Sequence, residues 1–164
     1  MTYTSLSVAE LLDRLGAATP APASGSAAAL AGALAAGLAE LAAGVSGEAG
    51  AARRARALRA RLTGLADEDA EAYAAFMATR SDEARSRTVD VPLEIAEASA
   101  EVAVLGGRLA KEGKQSVAGD SLAAAELGRA AVRVASMLVE LNLAGADDPR
   151  AARAAALRTG LPPA

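Results

Sequence analysis

Two carboxylates stand where leucines are expected. Leu58, Leu62 and Leu65 step by four and three, the spacing that keeps side chains on one face of a helix. The same steps continue onto Asp69, Ala72 and Phe76, so Asp69 falls on an apolar stripe. Aspartate is a poor helix former, and a carboxylate turned toward a core is costly without a partner. Its outcomes are a salt bridge, a raised pKa or a register turned to solvent, and a raised pKa is what proton transfer near neutral pH requires. Tyr73, four residues on, puts a ring and a hydroxyl beside the acid. The second case is Asp120, reached by stepping back through Ala124 from the stripe Leu127, Ala131, Val134, Leu138, Leu141. At a helix start an aspartate is also an ordinary N-cap, worth about 1 kcal/mol.

A third feature is the elbow of residues 20–26, PAPASGS, which runs straight into an alanine-rich stretch. Pro22 would end one segment, and Ser24, Gly25 and Ser26 would open a helix. Backbone N–H groups and serine hydroxyls at a helix start can cradle an anionic ligand edge, or can simply begin the helix.

The missing residue types narrow the chemistry. The chain has no histidine and no cysteine, which excludes Ser-His-Asp and Cys-His nucleophile systems, disulfides and Cys/His zinc sites. Acid–base work falls to Asp, Glu, Lys, Tyr or water. A net charge of −3 without a long Lys/Arg tract argues against nucleic acid or an anionic membrane as partner. The start MTYTSLSVAELLDRLG lacks the basic and apolar regions of a signal peptide, so a cytoplasmic address is expected. Residues 27–39 are apolar but give way to Glu40 too soon to cross a bilayer, so no membrane span is expected. The run Arg53, Arg54, Arg56, Arg59, Arg61 reads as a solvated helix face.

These groups sit on helices almost throughout. No strand alternation or hairpin turn is present, and 164 residues fit one domain, taken as 1–164. The fold class expected is all-α, a bundle of about five to six helices that dimerises by helix packing. Hydrophobic content of 52% with 2% aromatics predicts a core of Ala, Leu and Val, without broad aromatic grooves. Helices are expected over 7–16, capped by Ser5 or Ser7, and from Ser24 or Ser26 onward. The second would carry the stripe Leu30, Leu34, Leu38, Leu41, Val45, with Gly32 and Gly37 admitting a close neighbour. Further helices are expected over 51–79 and 92–111, after the breaker 113–119, and after Asp148-Pro149, the last ending before Pro162 and Pro163.

With those residues in place, the chain resembles the cyclodeaminase/cyclohydrolase family, the C-terminal domain of formiminotransferase-cyclodeaminase and free-standing methenyltetrahydrofolate cyclohydrolases. The likeness spans nearly the whole chain. A Pro-Ala-Pro-Gly-Gly-Gly-Ser element before an alanine-rich helix is matched by residues 20–26, an Asp-x-x-Ala-aromatic element by Asp69 to Tyr73, and Val-Pro-Leu by residues 91–93. A Ser-Asp opening a helix is matched by Gly119-Asp120, and the closing Asn-Leu by Asn142-Leu143. Two of three family glycines are Ala23 and Ser24 here, so a cradle needing positive φ at those positions would be strained. The segment after Tyr73 is shorter than the family's and lacks a usual lysine, whose charge Arg80, Arg85 or Arg87 would replace.

The resemblance implies an all-helical homodimer acting on a tetrahydrofolate derivative as substrate, without a tightly bound cofactor or metal. The activity implied is formiminotetrahydrofolate cyclodeaminase or methenyltetrahydrofolate cyclohydrolase. Asp69 and Asp120 would be catalytic, with Pro22, Ser24, Gly25, Ser26, Tyr73, Arg87 and Asn142 binding substrate. The two aspartates are expected to meet at the bundle end near the elbow, with Asn142 acting structurally or across the dimer. The alternatives are a diverged folate-binding relative without activity and a purely structural dimer, which would leave Asp69 facing solvent.

Overall fold

The computed structural model describes residues 2–161, so the expectation about Pro162 and Pro163 lies outside the described residues. Within them the protein is all-α: six α-helices and two 3-10 turns, with no strand. The helices are α1 (Val8–Gly16), α2 (Ser24–Val45), α3 (Ala49–Thr79), α4 (Asp82–Glu112), α5 (Ala118–Leu143) and α6 (Pro149–Thr159). Ser7 caps α1 in a capping box with Glu10, and Asp148 caps α6 ahead of Pro149.

Helix α2 is the central element, packed by α3, α4 and α5. Its core face is not the predicted leucine stripe. Ala28, Ala29, Ala35, Ala36, Ala39, Ala42 and Ala43 are buried, while Leu34 is 67% exposed, Leu41 47% and Val45 42%. Three neighbours can crowd around one helix only if its inward side chains are small, so alanine takes the core and the leucines are turned outward. The close approach extends elsewhere. A Cβ on Gly106 of α4 would lie 2.7 Å from the Ala125 backbone nitrogen, and one on Gly32 of α2 2.6 Å from Ser99 Oγ. Gly37 admits only an ordinary contact with Arg59. By length and composition α2 is sufficient to span a membrane, which the shorter window of residues 27–39 did not suggest. Its alanine face is covered by the bundle.

Helix α3 matches its predicted limits closely, and Leu58, Leu62 and Leu65 are buried as its periodicity requires. The arginine run is a solvated ion-pair face: Arg54 pairs with Glu101, Arg56 and Arg59 with Glu40, and Arg61 with Glu68 and Glu94. Helix α4 begins ten residues earlier than Pro92, counted from Asp82, and carries the proline inside it. Ser81 caps that start by accepting from the Ala84 N–H.

Candidate functional site

The N-terminus of α2 and the middle of α3 meet at Asp69. Gly25 and Ser26 are buried in the first turn of α2, where N–H groups lack helical acceptors. The Asp69 carboxylate lies against that turn: a Cβ on Gly25 would be 2.0 Å from Oδ1, 2.4 Å from Cγ and 2.5 Å from Oδ2. Only glycine leaves room for the acid. Burial pushes the Asp69 carboxyl above its ordinary range, opposed by hydrogen bonding from the Ser26 side chain and backbone. The Ser26 hydroxyl lies 2.8 Å from the Ala66 carbonyl oxygen and 3.3 Å from Asp69 Oδ2. Having one hydrogen, it donates to one acceptor at a time. When that hydrogen goes to Ala66, the Ser26 oxygen can accept from a protonated Asp69, so Ser26 serves both protonation states of the acid.

Around the acid is a cleft of about 260 Å³ lined by Pro20, Ala21, Ala23, Ser24, Gly25, Asp69, Ala70, Tyr73, Thr88, Leu138 and Asn142. Ala23 is extended, with φ −136, and positive φ within the described residues occurs only at Gly47, Arg80, Ala144 and Gly145. The elbow therefore keeps its form without the family's extra glycines. A second hollow of about 210 Å³ adjoins it, sharing Tyr73, Thr88 and Asn142 and adding Phe76, Arg85 and Leu141. The chain has three aromatic residues, two Tyr and one Phe, and Tyr73 and Phe76 line this groove. Sparse aromatics are thus concentrated at the site, which the composition did not suggest.

Asn142 is held in the cleft wall by α4. Its Nδ2 donates to the Thr88 carbonyl oxygen at 2.6 Å. That carbonyl would ordinarily accept from the N–H four residues on, but residue 92 is proline and has none. Pro92 frees the acceptor and Asn142 satisfies it, so two motif residues far apart in sequence form one joint. Thr88 was missed by sequence reasoning, although its place four residues before a mid-helix proline was the signal.

Not every predicted residue belongs here. Asp69, Ser24, Gly25, Tyr73 and Asn142 line the cleft together. Pro22 is buried beside it and absent from its wall, and Ser26 supports Asp69 from behind. Arg87 is turned to Glu68 and Glu94 on a different face, where the two carboxylates fix its charge. Asp120 is the largest correction. It sits in the first turn of α5 just after Val117, which packs with Ala39, Ala42 and Ala43 toward the other end of α2. Residues 120 and 142 are about six turns, or roughly 33 Å, apart on one helix. Within one chain the expected meeting of Asp69 and Asp120 does not occur; Asn142 takes that place.

The formiminotransferase-cyclodeaminase family model matches residues 7–159. The chain belongs to that family. No curated protein sequence matches it. The crystal structure of formiminotetrahydrofolate cyclodeaminase from Thermotoga maritima matches with a TM-score of 0.87, covering 96% of this chain and 92% of that one at 23% identity. At that identity the likeness establishes a shared helical fold. The carboxylate, hydroxyls, amide and small aromatic wall of the cleft make up a site for acid–base chemistry on a polar, planar ligand.

Proposed function

We propose that the cleft binds a tetrahydrofolate derivative and catalyses cyclodeamination of 5-formiminotetrahydrofolate to 5,10-methenyltetrahydrofolate and ammonia. The observation that carries this reading is Asp69, a carboxylic acid inside an apolar helix register, seated on the α2 N-terminus and raised in pKa by burial. In the reaction N10 attacks the formimino carbon, forming an N5–CH(NH2)–N10 centre. Asp69 takes the N10 proton and returns it to the amine. The C–N bond to the amine then breaks, ammonia departs, and the positive charge stays on the N5–C–N10 unit beside the carboxylate. Tyr73 and Leu138 supply apolar wall for the ring system, and no tightly bound cofactor takes part. An ordinary carboxylate holds its proton too weakly for this exchange at neutral pH; the upward shift moves it in the useful direction.

The test is incubation with 5-formiminotetrahydrofolate, following methenyltetrahydrofolate absorbance and ammonia. Formation of both is expected. Hydrolysis of added methenyltetrahydrofolate without deamination would replace this reading with cyclohydrolase activity. A ligand present at 100 times its Kd should stabilise the fold by about 2.7 kcal/mol, roughly 5–10 °C in melting temperature for a domain of this size. No response to 5-formyltetrahydrofolate, a stable analogue, would leave the structural alternative.

We also propose a homodimer built on the outward face of α2. Leu34, Leu41 and Val45 follow heptad-like steps on a side that α3, α4 and α5 leave open. Sedimentation should show a dimer at micromolar concentration, and Leu34→Arg with Leu41→Arg should give a folded monomer. A wild-type monomer would overturn the assignment.

A further inference from the structure

The cleft has an acid at its inner end, so the negatively charged part of a folate must lie elsewhere. The α2 N-terminus, the natural anion site of the elbow, is already taken by Asp69. A second carboxylate there would meet like charge. The adjoining hollow has the opposite character. Phe76, half-buried near the C-terminal end of α3, carries two guanidinium groups: Arg80 at 5.0 Å and Arg85 at 5.4 Å from its ring centroid. Arg85 lines the hollow with Tyr73, Thr88 and Asn142, the residues shared with the main cleft.

The two cations are held there without compensation. Among the described residues neither is within ion-pair distance of a carboxylate, although Asp82 and Glu83 follow closely in sequence. Nearby arginines behave differently: Arg87 pairs with Glu68 and Glu94, and Arg150 with Asp90 and Asp148. Arg80 also occupies a helix end at φ 53, ψ 19, a left-handed conformation in which glycine is the favoured residue. Arginine at such a position is costly for the fold, while its side chain adds to a positive charge that no residue neutralises.

We propose that Phe76, Arg80 and Arg85 form an anion subsite that takes the glutamyl carboxylates of the ligand, two anions for two cations, while the reacting carbon lies at Asp69. This assignment rests on the folate reading of the main cleft and adds the ligand's direction within it. The paired charges act in binding and leave the chemical step to Asp69. Arg–carboxylate bonds are charge-assisted and bidentate, so their loss should be read in affinity and in its salt dependence.

The experiment compares 5-formyltetrahydrofolate with 5-formyltetrahydropteroate, which lacks the glutamate, by calorimetry on wild type and on Arg80→Gln/Arg85→Gln. Wild type should bind the glutamate form about tenfold or more tighter, an advantage that added salt reduces. The double variant should lose that advantage and keep its affinity for the pteroate. An unchanged ratio in the double variant would overturn the subsite while leaving the main cleft standing. If wild type binds neither ligand, the folate reading fails, and p-aminobenzoylglutamate decides the subsite alone: binding lost in the double variant supports it, and no binding by wild type ends it. Arg80→Gly should raise the melting temperature, because glycine suits the left-handed position, and weaken p-aminobenzoylglutamate binding. Unaltered binding in that variant would assign Arg80 to structure only.

Discussion

Asp69→Asn should lower turnover by about 10²–10⁴-fold while leaving the helical fold and folate affinity largely intact. The isostere keeps the volume and the acceptor oxygen that Ser26 meets, and removes the proton that moves. Stability should change in the opposite sense from activity. The folded-state pKa of Asp69 is raised, so its contribution to stability is fully present below the unfolded pKa and is lost as pH rises through the folded value. Asparagine does not ionise. The variant should therefore match wild type in acid and exceed it in melting temperature at neutral pH. Denaturation scans from acid to neutral pH check this beside the turnover assay. Activity that merely follows the amount of folded protein, with a lower neutral melting temperature, would make Asp69 a structural partner.

Gly25→Ala should be nearly as damaging to catalysis, by a different route. The added methyl would sit within 2.0–2.5 Å of three Asp69 side-chain atoms, so the carboxylate must leave the α2 N-terminus. A misplacement of about 1 Å can cost on the order of 100-fold in rate. Alanine is the better helix former by about 1 kcal/mol, which offsets part of the strain and keeps the helix formed. Gly107→Ala is the control. Nothing lies within 4 Å of its Cβ position in α4, so it should stabilise by roughly 0.5–1 kcal/mol and leave turnover unchanged. Circular dichroism with steady-state kinetics on the two variants separates helix propensity from placement of the acid. Full activity in Gly25→Ala would sever the acid from the proposed chemistry.

The helices, their number and the anomaly of Asp69 were legible in the chain because helical periodicity is local. Leu58, Leu62 and Leu65 predict the register that Asp69 interrupts, and the structure buries that stripe as expected. The family motifs likewise marked the elbow, Asp69, Tyr73 and Asn142, which the fold gathers into one cleft. Composition and periodicity misled where side-chain size decided the outcome. On α2 the large residues marked an apolar face, but steric crowding by three helices reserved the interior for alanine and sent Leu34 and Leu41 outward.

Which acid sits with which partner was beyond local pattern. Asp69 and Asp120 look alike in sequence, each a carboxylate on an apolar stripe. Their separation depends on the rigid length of α5, which keeps residue 120 about six turns from residue 142. The start of α4 was misplaced for a related reason: Pro92 reads as a helix opening, yet tertiary contact supplies its missing bond through Asn142 to the Thr88 carbonyl. The sequence by itself determined the helices, the family and the acid with an unusual place. Only the tertiary structure decided what that acid touches and where the uncompensated arginines lie, because those contacts join segments whose spacing along the chain carries no periodic signal.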